Sequence, residues 1–173
     1  VRKGAFRATK VDVEIDTSQD HPHRTLADIL AILGASALDE GVRDGARRIF
    51  TRLAEAEARA HGTTPDTVRF HDVGAVDAIV DVTGSVAALT LLGIEQVHVS
   101  PLPLGGGFID GPHGRVPVPA PGTAELLRGF LVTDTGVRAE LITPTGAAIL
   151  TTLGRPGFPT MTVTAVGYGA GTR

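Results

Sequence analysis

The stretch between positions 101 and 122 restricts the fold more than any other part of the chain. Twelve of its 22 residues are proline or glycine: Pro101, Pro103, Gly105, Gly106, Gly107, Gly111, Pro112, Gly114, Pro117, Pro119, Pro121 and Gly122. This density excludes a long helix or a central strand, because proline lacks a backbone donor and both residues weaken regular elements. A linker would be more polar, yet this stretch carries Leu102, Leu104, Phe108, Ile109, Val116 and Val118. The sequence therefore predicts a long ordered loop with short edge strands, fixed against the core.

Regular elements are predicted on both sides of this loop. Helical spacing of apolar residues predicts helices after Thr25, over 39–60 and over 76–92, and shorter helices begin near Pro121 and at Pro144, with Thr143 as cap. Alternating or β-branched residues predict strands over 4–16, 96–100, 131–135, 139–143 and 160–169. This alternation predicts an α/β or α+β fold, with a mixed sheet and several packed helices, in a single domain over 1–173.

Composition excludes several classes of function. The chain has no cysteine, which excludes disulfides, thiolate metal sites and a cysteine nucleophile. Its net charge is −3 with both signs interspersed, and the helically spaced Arg43, Arg47, Arg48 and Arg52 are interpreted as a solvated face rather than a nucleic-acid surface. No apolar run reaches the roughly 18 residues of a membrane span, and no signal peptide opens the chain. We therefore expect a cytoplasmic protein, and a homo-oligomer is left open.

An imidazole and three carboxylates occur close together in "VRFHDVGAVDAIVDVTGS". Asp77 and Asp81 are four residues apart and share one face of the predicted helix, while His71 and Asp72 lie in the turn before it. These nitrogen and oxygen donors would suit Mn²⁺, Mg²⁺, Ni²⁺ or Zn²⁺. The alternative is that Asp77 favours the positive helix end, Asp81 pairs with an arginine and His71 is an ordinary loop residue.

Other histidines and two backbone motifs offer further candidates. His21 and His23, in "HPHR", would point the same way in an extended segment and could chelate, although a polar turn explains them equally. His113 lies within the loop as a candidate ligand or general acid–base, whereas His98 and His61 are assigned to a strand and a helix end. Phosphate binding is predicted weakly from the amides of Gly105, Gly106 and Gly107 and from "TPTG", with Thr143 and Thr145, at a helix start.

These motifs together resemble a known family. "HPHRTLADI", "FHDVGAVDAIVDVTGSVAALTLLGI", "SPLPLGGGFIDGPHGRVPVPAPGTAELLRG", "ELITPTGAAIL" and "GYGAGTR" occur in the order found in the LarC family of nickel-insertion proteins. The resemblance covers nearly the whole chain, from about residue 5 to 173. It implies a nickel chelatase of the lyase type, acting in nickel-pincer cofactor synthesis on a pyridinium bisthiocarboxylate mononucleotide. It also implies dependence on CTP and on Mn²⁺ or Mg²⁺.

The resemblance assigns roles to the candidate residues. His71 and Asp72 would hold metal and take part in catalysis, with Asp77 and Asp81 as ligands or anchors and His21 and His23 as accessory ligands. His113 would be a further catalytic residue. The phosphate of the nucleotide substrate would contact Gly105, Gly106, Gly107, Thr143 and Thr145.

The sequence also departs from the family pattern. We expect the chain to be the core of a longer protein, because the family's usual opening segment, histidine-rich tract and C-terminal nucleotide portion are not seen in this sequence. As partners, separate chains carrying these segments would complete it. The leading hypothesis is therefore an enzyme core that binds metal and nucleotide. The alternatives are a non-catalytic metal-binding, nucleotide-binding or scaffold domain, and a shortened relative with a different reaction.

Overall fold

The fold is built around one long helix. The computed structural model describes residues 1–16, 18, 23–70, 75–111 and 114–171. Helix α2 spans Glu40–His61 and begins after Asp39, and Gly62 ends it in the left-handed conformation, with φ 66°. A residue with a side chain is strained at such an angle, which explains the glycine. Its apolar stripe is completely buried at Ala46, Ile49, Phe50, Leu53, Ala54 and Ala56.

Helix α1 spans Leu26–Ala35 and precedes α2. Thr25 and Asp28 form a reciprocal capping box: the Thr25 hydroxyl accepts a bond from the Asp28 amide, and the Asp28 carboxylate accepts one from the Thr25 amide at 2.8 Å. These bonds hold the pKa of Asp28 below its ordinary value, with a smaller contribution from the charges of Arg69 and Arg24. The cap fixes where the chain enters α1, whose Ile29 and Leu33 are buried.

Three further helices pack against α2: α3 (Val76–Leu91), α4 (Pro121–Leu126) and α5 (Pro144–Leu153). Gly45 allows α3 to approach α2, since a Cβ at Gly45 would lie 2.7 Å from a methyl of Val86. The end of α5 lies beside Arg48 and Arg52 of α2, through bonds to the Thr152 carbonyl and the Thr151 hydroxyl. All these helices contribute to one hydrophobic cluster.

The β structure of the described residues is divided among five strand pairs. Three are antiparallel: β1 (Arg2–Lys3) with β2 (Phe6–Arg7), β3 (Arg24–Thr25) with β4 (Arg69–Phe70), and β7 (Phe108–Gly111) with β8 (Gly114–Pro117). Two are parallel: β5 (Val97–Val99) with β10 (Gly154–Pro156), and β6 (Leu102–Leu104) with β9 (Val132–Asp134). A 3₁₀ turn, Pro65–Thr67, leads into β4. Three of these pairs, β3–β4, β5–β10 and β6–β9, join segments that are distant in the chain, and Phe70, Val99 and Leu102 bring them into the hydrophobic core.

The structure confirms the mixed α and β class and the predicted helices. The Gly/Pro stretch forms β6, β7 and β8 before α4 begins. The predicted long strands over 4–16 and 160–169 are wrong: after β2, the described part of these segments is joined only by an isolated bridge between Thr9 and Gly169. The described residues of 139–143 form no strand either. No helix among the described residues is both long and apolar enough to cross a bilayer.

Candidate functional site

The two described carboxylates of the acidic motif, Asp77 and Asp81, lie in the first two turns of α3. Asp77 lies in the first turn, and its Oδ1 accepts a hydrogen bond from the Ala78 amide at 2.9 Å. Asp81 lies one turn later, on the same face. Desolvation, and then the negative charge of Asp77, raise the pKa of Asp81 above its ordinary value. The cap residue Ala75 has no side-chain oxygen, so Asp77 supplies the side-chain acceptor for a first-turn amide of α3.

The pairing of β3 with β4 relates this helix to the second histidine motif. Arg24 pairs with Phe70 in the antiparallel ladder. The chain therefore leaves the ladder toward His23 on one strand and toward His71 on the other at the same end. Ala75 stands five residues after Phe70, so the start of α3 is within roughly 17 Å of this end of the ladder. The ladder thus brings the described neighbours of the two predicted metal motifs, Arg24 and Phe70, side by side.

Four of the predicted site residues lie outside the described residues: His21, His71, Asp72 and His113. Among the described residues, no group of three or more histidine, aspartate or glutamate side chains is arranged to hold a metal ion. Asp77 and Asp81 by themselves supply only part of a coordination sphere. The histidine motifs that would complete the coordination sphere adjoin the described residues His23 and Phe70 in the sequence.

Two arginines at this ladder were not predicted as part of the site. Arg24 and Arg69 lie on the paired strands, and their charges reach Asp28 of α1. Their sequence signal is their closeness to the histidine motifs: Arg24 directly follows His23, and Arg69 lies two residues before His71. They place positive charge at the β3–β4 ladder, beside the start of α1.

The glycine run makes close backbone contacts of its own. A Cβ at Gly105 would lie 1.6 Å from the carbonyl oxygen of Ala139, so only glycine fits at that position. The amide of Gly106 donates to the Val137 carbonyl at 2.9 Å, and the Gly107 carbonyl accepts from Val118. The run therefore supports the crossing of two chain segments, and the Gly106 amide is already used within the protein.

The same contact brings the glycine run toward the start of α5. The ideal Cβ position of Gly105 lies 3.3 Å from Leu141, two residues before the cap of α5. Thr143 caps this helix by accepting a bond from the Gly146 amide at 3.2 Å, and Thr145 is half-buried in the first turn. The two phosphate motifs predicted from sequence thus belong to neighbouring parts of the fold.

The remaining polar candidates have structural roles. His61 is the last residue of α2 and lies 3.5 Å from the Glu57 carboxylate. His98 is half-buried in β5, where it pairs with Arg155. Of the arginine cluster, Arg47 and Arg48 are exposed, as the prediction of a solvated face expects, whereas Arg43 and Arg52 are half-buried. Arg47 forms an ion pair with Asp44, and Arg48 and Arg52 also bind the end of α5.

Comparison with known proteins decides the family. The family model described as "Nickel insertion protein" matches residues 1–173. The chain belongs to this nickel insertion family. A putative nickel insertion protein of Geobacter metallireducens is 54% identical over 175 residues, covering 99% of this chain and 44% of the relative. One from Geobacter sulfurreducens is 52% identical over 174 residues, with 99% and 44% coverage.

A further family relative carries a more specific name. The pyridinium-3,5-bisthiocarboxylic acid mononucleotide nickel insertion protein of Desulfitobacterium hafniense strain DCB-2 is 49% identical over 175 residues, covering all of this chain and 43% of the relative. The chain thus spans less than half the length of these relatives. No solved structure matches it. The family resemblance inferred from the sequence motifs is confirmed.

Proposed function

We propose that this chain is a nickel-handling part of a nickel insertase that acts on a pyridinium-3,5-bisthiocarboxylic acid mononucleotide. Relatives about half identical to it over its whole length carry that activity or nickel insertion in their names. The structural observation that supports the proposal is the Arg24–Phe70 pairing, because it joins the residue that follows His23 to the last described residue before the acidic motif. Nickel is the substrate to be transferred in this proposal.

Nickel would be held by donors from three chain segments. His71 and Asp72 precede α3 in the sequence, Asp77 and Asp81 lie on α3, and His21 and His23 precede β3 in the sequence. Nitrogen and oxygen ligands hold a borderline-soft ion less firmly than sulfur does, so the ion can pass to the thiocarboxylates of the substrate. The raised pKa of Asp81 fits this use, since a bound cation would offset the repulsion from Asp77.

The nucleotide would lie with its phosphate toward the start of α5. The positive end of this helix favours an anion, and Thr143 and Thr145 bring hydroxyl groups to it. Gly107 would allow close backbone approach, while Gly105 and Gly106 contribute by shape, because Gly105 is packed against Ala139 and the Gly106 amide is engaged. His113 stands between the paired residues Gly111 and Gly114, where it is proposed as an acid–base or ligand residue. Use of CTP and of Mn²⁺ or Mg²⁺, a cytoplasmic location and the lyase type belong to the same proposal.

The second candidate is a binding or scaffold domain without turnover. The observation that favours it is that this chain matches less than half of each relative, so the catalytic step could depend on the remaining part. In that case the chain would hold nickel or the nucleotide but would not form the nickel–sulfur bonds alone.

Calorimetric titration with Ni²⁺ tests the site. We expect the wild-type chain to bind nickel, and Asp81→Asn, His71→Ala and Asp72→Ala each to weaken binding by about 10-fold or more. Asp66→Asn is the matched control, because it neutralises an exposed aspartate in the 3₁₀ turn before β4. Equal nickel affinity in all of these proteins would show that the site is misplaced.

A second measurement separates insertion from storage. Nickel-loaded protein is mixed with the bisthiocarboxylate mononucleotide, and the charge-transfer absorbance of nickel–sulfur bonds is followed. Its appearance at a rate above that of free nickel supports insertion. Nickel binding without that absorbance would favour the scaffold alternative.

A further inference from the structure

A cleft between α2 and the end of α5 is lined by polar and cationic side chains. Its volume is about 530 Å³, within the range of roughly 300–1,000 Å³ that is typical of small-molecule sites. Five lining residues belong to α2 and two to α5: Arg47, Arg48, Thr51, Arg52, Glu55, Thr151 and Thr152. We call this space the arginine cleft.

Helical spacing explains why the cleft is positively charged. The five lining residues of α2 are separated by steps of one or three, which a helix places on one face. Three of them are arginines, and Glu55 is the only acidic side chain among the described residues of the lining. Arg47 is paired with Asp44, whereas Glu55 takes part in none of the ion pairs of the described residues. The charges of Arg48 and Arg52 are therefore not neutralised by a direct ion pair.

The fold holds these two arginines in place. Arg52 donates from Nε to the Thr151 hydroxyl at 3.0 Å and from Nη2 to the Leu126 carbonyl at 3.1 Å, and Arg48 donates from Nη2 to the Thr152 carbonyl at 3.3 Å. A guanidinium has five N–H donors, so each arginine keeps donors that these bonds do not use. Because the side chains are already ordered, an anion would bind them at a smaller cost in conformational entropy.

The wall of the cleft also contains a polar atom without a partner. The Thr152 hydroxyl is buried and makes no hydrogen bond within the part of the chain that the structure describes. Buried hydroxyl groups normally bond to protein, to water or to a ligand. A polar ligand in the cleft, or a water that it orders, would supply the missing partner.

We propose that the arginine cleft binds a diphosphate or triphosphate group, either free or as the phosphate chain of a nucleotide. Arg48 and Arg52 donate to the phosphate oxygens through their planar guanidinium groups, which suit bidentate contacts with phosphate. Their backbones lie about 6 Å apart along the axis of α2, so linked phosphate groups fit both arginines better than a single phosphate does. Glu55 opposes the anion and limits its affinity. The cleft shares no residue with the proposed nickel site, and the proposal does not depend on that site.

Calorimetric titration of the 173-residue chain with pyrophosphate tests the cleft. We expect Arg48→Gln to weaken binding by about 10-fold, because it removes charge-assisted hydrogen bonds to the anion. Glu55→Gln should strengthen binding by about 3-fold, because it removes the opposing charge. Both side chains are exposed, so neither change disturbs the core. A merely structural role of Arg48 at the end of α5 would not account for the gain at Glu55.

Arg43→Gln is the matched control, because it removes the same charge from the same helix at a position that does not line the cleft. Its affinity for pyrophosphate should stay within about 2-fold of the wild-type value. An equal loss in Arg43→Gln and Arg48→Gln would reduce the effect to general charge and overturn the proposal. Absence of pyrophosphate binding by the wild-type chain, or weaker binding by Glu55→Gln, would overturn it as well.

A comparison of ligands identifies the recognised group. Pyrophosphate should bind about 10-fold more tightly than inorganic phosphate, because it engages both arginines. Equal affinities for the two anions would contradict the assignment to linked phosphate groups. ADP that binds at least as tightly as pyrophosphate would assign the cleft to the phosphate chain of a nucleotide, and much weaker binding of ADP would assign it to the free anion.

Discussion

At the scale of single residues, the acidic face of α3 is maintained at a cost to the metal-free protein. Asp77 and Asp81 lie one turn apart, where like charges destabilise a helix by a few tenths of a kcal/mol. The Asp77 side chain is partly engaged by the Ala78 amide, whereas desolvation and Asp77 both disfavour the ionised form of Asp81. Replacing Asp81 with an amide would remove this repulsion, whereas the Asp77 carboxylate is favoured in the first turn by the helix dipole and the Ala78 amide. The cation binding proposed above would offset the repulsion at Asp81.

Asp81→Asn should therefore stabilise the metal-free protein slightly at pH 7, by about 0.3 kcal/mol. A carboxyl group whose pKa is raised by folding makes folding less favourable once it ionises. The gain from the amide is thus present at neutral pH and disappears as pH falls below the ordinary value of 3.8. Urea unfolding of both proteins at pH 7 and pH 3.5 measures this. A loss of stability at pH 7 would mean that Asp81 makes a favourable contact in the metal-free state.

At the scale of elements, the glycines at 105–107 fit two interpretations, a phosphate-binding loop and a close crossing of two backbone segments. The sequence suggests amides that cradle a phosphate, and the fold shows a crossing in which Gly105 lies against Ala139 and the Gly106 amide binds Val137. Leu104 also accepts from the Thr135 hydroxyl at 2.8 Å, which extends the contact between β6 and the segment after β9. This crossing positions Leu141 and hence the start of α5.

Gly105→Ala should consequently destabilise the fold by at least about 2 kcal/mol, because its Cβ meets a backbone oxygen that cannot move independently. Gly106→Ala is the matched control: its Cβ would come no closer than 4.0 Å to the Val137 oxygen. Thermal unfolding by circular dichroism compares the two. Similar midpoints for both variants would show that the crossing adjusts easily and does not depend on glycine.

The helices were predictable from sequence because their signals are local. The boundaries of α1, α2 and α5 follow from residues within one turn of each helix end. These residues are Thr25, Gly62, Thr143 and Pro144. Strands depend on a distant partner. The alternation over 4–16 and 160–169 therefore predicted extended backbone. It did not specify that, apart from β2, the described residues of these segments would pair only between Thr9 and Gly169.

The candidate site likewise contains features that local sequence predicts and features that depend on distant chain segments. The shared face of Asp77 and Asp81 follows from helical spacing alone, so the sequence sufficed for it. The contact between β3, which follows His23, and β4, which ends at Phe70, depends on pairing between distant segments. No local sequence pattern specifies such pairing. Gly105 carried no sign of its contact with Ala139 for the same reason.

At the scale of the whole molecule, α2 organises the fold through its buried stripe and two of its arginines. Arg52 donates from Nε to the Thr151 hydroxyl at 3.0 Å and from Nη2 to the Leu126 carbonyl at 3.1 Å. Arg48 donates to the Thr152 carbonyl at 3.3 Å. Both arginines thus reach the ends of α4 or α5, where a positive charge is favoured by the helix dipole. This arrangement joins the helix that begins beside the glycine run to the centre of the protein.

Arg52→Met should for this reason lower the free energy of unfolding by about 2 kcal/mol, since it removes two charge-assisted hydrogen bonds and leaves the Thr151 and Leu126 oxygens without that donor. Methionine keeps most of the aliphatic stem, so the loss reports the guanidinium. Arg47→Met is the matched control on the same helix, because it removes only an exposed ion pair with Asp44 and should cost less than about 0.5 kcal/mol. Urea denaturation followed by circular dichroism measures both variants. Equal losses would mean that Arg52 is one more surface charge, and that packing of the apolar stripe alone holds α4 and α5 against α2.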